Sequence, residues 1–406
     1  MKILHTSDWH LGRTLNKTRQ RYDEFSAFLS WLGALIEQRG IEYLLVCGDI
    51  FDTATPTNRA QELYYSFLRR LSQIKCCRHA IIISGNHDSP SFLEAPAALL
   101  SGLGIKVIGR SNIENELLTF NSPTGEPELL AAAVPYLREA DLKTAVSGET
   151  SETRDKLLAE AVVARYKNLR AKADSIISQL GRPIPVVATG HLFLAGGQTV
   201  DDDGVREIYA GPLSAIAFEA LPKFDYLALG HLHSPQKVGG TETARYSGTP
   251  MAMGFNELKG SKSVAICELE VGSPVSVELV AVPVFRELGR LEGELDQLIA
   301  GMRKYSNTGA WLELVYTGQA MIPDLRFQLE EEAGRLGLEI VRIRDLRFRN
   351  LALAAGETGP DLTAMEPVSI FENLLNDRQI NDAERPELLA TYREIVALMD
   401  EADPKA

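Results

Sequence analysis

Ala80-Ile81-Ile82-Ile83-Ser84-Gly85-Asn86-His87-Asp88-Ser89-Pro90 joins an apolar run to a polar cluster. The run predicts a buried strand, and the cluster predicts the loop at its C-terminal end. An α/β fold gathers its chemistry at such ends. Asn, His and Asp side by side there suit a metal-assisted reaction.

The same grammar recurs on both sides of this stretch. Residues 2–7 predict a strand ending in Asp8-Trp9-His10, and residues 41–47 a strand ending in Gly48-Asp49-Ile50-Phe51-Asp52. Between them, Phe25, Phe28, Leu29, Leu32, Leu35 and Ile36 give residues 22–39 a helical period, as Leu63, Phe67, Leu68 and Leu71 do for residues 58–71. Alternating strands and helices predict a layered α/β domain. Further strands are expected at 105–108, 129–134, 184–189 and 224–229, with a long polar helix over 153–180. The strands at 184–189 and 224–229 lead to Gly190-His191 and Gly230-His231-Leu232-His233. Later strands at 244–247, 263–269 and 275–282 are expected to form a second, mixed or antiparallel sheet.

The chain has 406 residues and 45% hydrophobic residues, enough for one very large domain or two to three ordinary ones with a sizeable core. No run reaches the roughly 18 uninterrupted apolar residues of a membrane span. The N-terminus enters a strand pattern without a signal-peptide layout, so a cytoplasmic location is expected. Cys47, Cys76, Cys77 and Cys267 lack zinc-site spacing; Cys47 and Cys267 fall in apolar runs and are expected core thiols. A net charge of -13 argues against a general nucleic-acid coat, because phosphate binding favours basic surfaces. It does not exclude a nuclease whose carboxylates hold divalent cations.

Of seven histidines, His10, His87, His191, His231 and His233 stand at or just beyond strand ends, joined by Asp8, Asp49 and Asn86. His5 is expected inside the first strand as a structural partner, and His79 precedes the third. Strand ends along one sheet edge bring distant side chains into one crevice, and the glycines allow sharp turns there. Nitrogen, carboxylate and carboxamide donors without sulfur favour Mn(II), Fe(II) or Zn over Cu(I). The donors are too many for one tetrahedral ion and fit two ions sharing a carboxylate. A single ion, or a purely structural site, is the plainer alternative; open strand-end loops argue against a closed structural site.

In order, Asp8-x-His10, Gly48-Asp49, Gly85-Asn86-His87-Asp88, Gly190-His191 and Gly230-His231-x-His233 resemble the signature of the calcineurin-like metallophosphoesterase superfamily. His5 to Gly12, Gly48 to Asp52 and Ser247-Gly248-Thr249-Pro250 are similar to its Mre11-like DNA-repair branch, on the bacterial SbcD-type side. The resemblance implies a four-layer α/β/β/α sandwich with a small α+β capping domain and a helical C-terminal tail. It implies two divalent metal ions, Mn(II) by preference. One would be held by Asp8, His10, Asp49 and His233, the other by Asp49, Asn86, His191 and His231, with Asp49 bridging. His87 is then a catalytic histidine outside the ligand set. Asp88 orients it or holds the loop.

The resemblance further implies 3′–5′ double-strand exonuclease and single-strand or hairpin endonuclease activity at DNA ends, in repair, replication and recombination. It implies a homodimer joined to an SMC-like ATPase of the SbcC/Rad50 type as a heterotetramer, with dimer helices among residues 58–73 or 92–103. One departure matters. Archaeal and eukaryotic members carry a histidine three positions after the bridging aspartate, where this chain has Asp52. A carboxylate cannot offer a phosphate a positive imidazolium, so Asp52 is expected to orient His87 or another site group.

The expected domains are 1–285 (phosphoesterase), 286–350 (capping), 351–365 (linker) and 366–406 (tail). The capping part predicts helices at 291–302 and 323–336 and strands at 311–316 and 338–343. Its Arg342, Arg344, Arg347 and Arg349 could meet a DNA backbone or form a salt-bridged face around Asp345. In the tail, Ser369 and Glu372 have capping-box spacing, and Leu388, Leu389, Tyr392, Ile395, Val396 and Met399 recur at helical spacing. Such stripes suit a partner protein, or the chain's own domains. The expected mechanism is in-line hydrolysis between two ions roughly 3.5–4 Å apart. A DNA-end scaffold with secondary nuclease activity, and a nucleotide or small-molecule phosphoesterase, are the competing functions.

Overall fold

A computed structural model describes residues 1–142, 151–195, 216–320 and 322–346, together with seven positions between 375 and 392. The expected linker, nearly all of the tail, and Arg347 and Arg349 lie outside the described residues.

The strands in chain order are β1 (Lys2–Thr6), β2 (Thr14–Leu15), β3 (Arg19–Gln20), β4 (Tyr43–Cys47), β5 (His79–Ile83), β6 (Ile105–Ile108) and β7 (Leu117–Asn121). There follow β8 (Pro127–Ala133), β9 (Val186–His191), β10 (Tyr226–Gly230), β11 (Gln236–Val238), β12 (Thr241–Tyr246), β13 (Ser263–Glu268) and β14 (Ser276–Ala281). They form two six-stranded mixed sheets, β14-β13-β1-β4-β5-β6 and β11-β12-β10-β9-β8-β7.

Each central strand buries both faces, which is why it reads in sequence as an unbroken apolar run rather than an alternation. The period of two still sorts its side chains. Tyr43, Leu45 and Cys47 of β4 and Ile81 and Ile83 of β5 point between the sheets, where they meet Leu129, Ala131, Val187 and Ala228. Leu44, Val46 and Ile82 point outward onto α1 (Tyr22–Arg39) and α2 (Asn58–Leu71). The second sheet is covered by the helix Ser151–Leu180, whose buried Leu158, Val162, Tyr166, Leu169 and Ala173 recur at helical spacing. The layers are therefore α/β/β/α, as the resemblance implies. α1 stops at Gly40, whose φ of 63° suits a left-handed cap. α2 starts at Thr57, whose side chain accepts from Ala60 N at 3.2 Å.

Two expectations need correction. The late strands do not form a separate sheet. β12 joins β10 in parallel in the second sheet, whereas β13 runs antiparallel to β1 and carries β14 to the edge of the first. Apolar pattern fixes that a segment is a strand, not which neighbour it meets. Gly190 and His191 also lie within β9 rather than beyond it. His5 is the structural residue expected: Nδ1 meets Tyr226 Oη at 3.0 Å and Nε2 meets the Leu229 carbonyl at 3.1 Å.

Beyond β14 come strands Leu288–Gly293, Trp311–Tyr316 and Glu339–Asp345, with helices Leu295–Arg303 and Leu325–Arg335. The first of these strands is not among those expected, and it occupies the start of the helix expected over 291–302. The chain divides into two compact units: Met1–Arg290 with Tyr305–Glu313 and Ala333–Arg342, and Leu291–Lys304 with Leu314–Glu332 and Ile343–Ala406. Within the first unit, buried Glu313 is flanked by Arg290 at 3.4 Å and Arg342 at 3.7 Å. Part of the expected basic patch is thus a salt-bridged pair.

Candidate metal centre

β1, β4 and β5 run parallel, with Thr6 opposite Val46 and Cys47 opposite Ile83, so their following loops leave along one edge. Those loops stay together: Asp8 N donates to Gly48 O at 3.0 Å and His10 N to Asp49 O at 2.9 Å. In the second sheet Gly230 pairs with His191, which places the last two histidine motifs side by side. The two edges are tied where His191 Nδ1 donates to the Cys47 carbonyl at 2.9 Å.

Local backbone is held in unusual states here. Asp8, His10, Asp49 and His231 have φ of 52°, 47°, 49° and 109°, values that non-glycine residues rarely adopt and that cost about 1–3 kcal/mol each. Gly85 meets a different limit. A Cβ there would collide with the Asp49 carboxylate and amide nitrogen.

The structure brings together every residue expected to hold metal. His10 Nε2 lies 3.2 Å from His233 Nε2 and 3.7 Å from Asp49 Oδ2. His191 Nε2 lies 3.3 Å from the same Asp49 oxygen and 2.9 Å from Asn86 Oδ1, which in turn is 3.2 Å from His231 Nδ1. Asp49 thus sits between the His10 and His191 sides. Among the described residues three overlapping groups of possible ligands result: Asp8, His10 and His233; His10, Asp49 and His87; Asp8, Asp49 and His191.

Hydrogen bonding fixes how these groups face. The Nδ1–H of His191 donates outward to Cys47 O, and His233 Nδ1 lies 2.7 Å from Glu257 Oε1. Both leave Nε2 with its lone pair turned inward. Neutral His191 then sets an acceptor against Asn86 Oδ1, and the facing Nε2 atoms of His10 and His233 pose the same problem. A cation resolves both contacts. A proton resolves the first, and His191 is pushed up to about 9, with the attraction of Asp49 and Asp8 overcoming burial. Asp49 is held well below the usual carboxylate range, because His191, His10 and His87 outweigh burial. His10 and His231 are pushed down by burial above all. The donor set fits two divalent ions.

Three residues with less defined expected roles are placed differently from one another. His87 is half-buried; its Nδ1 donates to the Asp52 carbonyl at 2.9 Å, and its ring meets His10 edge to face at 4.9 Å. Asp52 therefore meets His87 through its backbone carbonyl. Its carboxylate instead lies 3.4 Å from His10 Nδ1 and 3.2 Å from Arg13 Nη1. Asp88 is fully buried and accepts from Gly85 N at 2.8 Å, Phe51 N at 3.0 Å and Ile50 N at 3.1 Å. It staples the Asp49 loop to the Gly85 loop. Burial and the charge of Asp49 push its carboxyl up to about 6, against those three bonds. Asp88→Ala would strand three buried N–H groups at about 1–3 kcal/mol each. It is expected to cost roughly 3 kcal/mol or more in a urea melt, against little change for a surface aspartate.

Sequence reading missed Glu257. It lies on the short 3₁₀ turn Phe255–Glu257, with no strand before it and no histidine or aspartate beside it. Nothing in its neighbourhood marks it, and only the fold carries it to His233.

This donor set on a two-sheet α/β/β/α core defines a metal-dependent phosphoesterase. The sequence family described as calcineurin-like phosphoesterase matches residues 1–235, and a type 5 capsule protein repressor C-terminal domain matches residues 284–379. The SbcD subunit of the nuclease SbcCD from Escherichia coli K12 is 30% identical over 392 residues, covering 96% of each chain. Its namesake in Rhodobacter capsulatus is 30% identical over 388 residues, covering 91% of this chain and 93% of that one. The Bacillus subtilis namesake is 32% identical over 318 residues, covering 77% and 78% respectively. The chain belongs to the SbcD family of calcineurin-like phosphoesterases.

Proposed function

We propose that the chain is the nuclease subunit of an SbcCD-type complex, hydrolysing DNA phosphodiesters with two divalent metal ions. One observation carries this most: inward-facing imidazole nitrogens meet the Asn86 carboxamide oxygen at 2.9 Å and the Asp49 carboxylate at 3.3 and 3.7 Å, with Asp49 Oδ2 between the two sides. Such an intact set argues for catalysis over a purely scaffolding role. When bound, the ions would polarise phosphoryl oxygens and lower the pKa of water at neutral pH. Mn(II) is the proposed pair, on family grounds, since the donors accept several metals.

The chain's own residues do the rest. Asp8, His10, Asp49 and His233 would hold one ion, and Asp49, Asn86, His191 and His231 the other. Asp52 presents its carbonyl to His87 Nδ1, which leaves Nε2 to carry a proton toward a leaving 3′-oxygen or to meet phosphoryl charge. The Asp52 carboxylate steadies His10. Asp88 keeps the bridging loop in place.

In this reading the phosphoesterase spans 1–285, a capping part 286–350 meets duplex DNA, and the segment 366–406 docks on an SMC-like ATPase. The assembly is a homodimer of subunits within a heterotetramer, acting 3′ to 5′ on duplex ends and on hairpins. It works in the cytoplasm with the nucleoid. Among the described residues no helix is long and apolar enough to cross a membrane.

The test is digestion of a blunt linear duplex with Mn(II), beside a nucleotide monoester, with and without the ATPase and ATP. Shortening of the duplex from its ends supports the proposal. Activity confined to the monoester overturns it.

A further inference from the structure

Ser247-Gly248-Thr249-Pro250 follows β12 and holds no ligand, yet it runs directly behind the metal donors. Ser247 Oγ lies 2.7 Å from Ser7 Oγ, which donates to Asp8 Oδ2. Thr249 N donates to the His233 carbonyl at 3.1 Å. Behind the same histidine, one oxygen of Glu257 faces His233 Nδ1 at 2.7 Å. The other accepts from Lys262 Nζ at 2.7 Å, Met253 N at 3.1 Å and Thr249 Oγ1 at 3.2 Å. Lys262 uses its remaining donors on Thr249 Oγ1 at 2.6 Å and His233 O at 2.9 Å. Glu257 and Lys262 expose only 3% and 12% of their side chains.

This is a closed arrangement. Each donor of Lys262 is spent, both oxygens of Glu257 are used, and His233 is gripped at its ring and at its carbonyl. The ring bond sets the tautomer and the aim of Nε2, which is how outlying carboxylates tune metal-bound histidines. The lysine balances the buried carboxylate, which would be costly alone.

We infer that Glu257 and Lys262 form a positioning pair that aims His233 and sets the affinity of one of the two ions, the one shared by Asp8, His10 and His233. The inference rests on the two-ion reading above. None of the hydrogen bonds described above for Asn86, His191 and His231 involves the pair. Glu257→Ala frees the His233 ring and leaves an ammonium beside a cation site. It should weaken one ion by roughly 10–100-fold and spare the other. Glu257→Gln keeps an acceptor for Nδ1–H without the charge, and should fall between the wild type and Ala.

The experiment is Mn(II) titration of the full-length metal-free protein followed by electron paramagnetic resonance, with thermal melts of the metal-free forms. The expected result for Glu257→Ala is a six-line signal of isolated Mn(II) at metal levels where the wild type gives a coupled pair. Glu257→Gln should restore part of the coupled signal. Equal affinities in wild type and both variants would overturn the inference. So would equal weakening of both ions in both variants with a matching fall in melting temperature, since that describes a merely structural residue. If Glu257→Ala does not fold, Glu257→Gln alone decides by the same criterion. A wild type that never binds two ions would instead refute the two-ion reading itself.

Discussion

Asp49→Ala is expected to weaken both metal ions and to lower turnover on linear duplex by roughly 10³-fold or more. Metal-assisted charge stabilisation supplies several kcal/mol, and each 1.36 kcal/mol is a factor of ten. Other donors serve one side in the proposed partition, whereas Asp49 Oδ2 is 3.7 Å from His10 and 3.3 Å from His191. The variant also loses the acceptor for His87 N, bonded to Asp49 Oδ1 at 2.9 Å, so the loop carrying His87 is expected to loosen with the ions. Asp49→Asn retains the size and one acceptor, and separates that loosening from the loss of charge. Isothermal titration with Mn(II) reads binding, and single-turnover digestion reads chemistry. Full occupancy of both sites in Asp49→Ala would remove Asp49 from the bridging position.

His87→Ala is expected to separate what Asp49→Ala merges. A positioned proton donor contributes about 10²–10⁴-fold, so turnover should fall by that much while both ions bind with near wild-type affinity. The bond from Nδ1 to the Asp52 carbonyl fixes the ring without a metal. The geometry also offers a competing role, because His87 groups with His10 and Asp49 closely enough to share an ion. Loss of one ion in the variant would make His87 a ligand and overturn its catalytic assignment.

The local elements are legible in the sequence because they answer to local periodicity. Residues 22–39, 58–71 and 311–316 coincide with the helices and strand found. The candidate donors are legible as an ordered set, because any one polar residue at a strand end could be a turn former, as Asp88 is a loop staple, whereas His, Asp and Asn recurring at five strand ends point to one crevice. Partnership between distant segments is less legible. β13 pairs with β1 across more than two hundred and fifty residues, with Lys2 opposite Glu268, and no local pattern announces it. Atom-level roles at Asp52 and Asp88 are hidden for a related reason: residue type and spacing do not say whether a carbonyl or a carboxylate makes the contact. Glu257 is invisible because its only signal is three-dimensional.

The central claim is that strand-end motifs from two sheets build one dinuclear centre. Its most direct test is a Mn(II) titration of the wild-type metal-free protein, read by electron paramagnetic resonance. Two ions per chain with a spin-coupled spectrum, lost in Asp49→Ala, is the result expected. A single ion per chain, or two ions that remain magnetically independent, would contradict it.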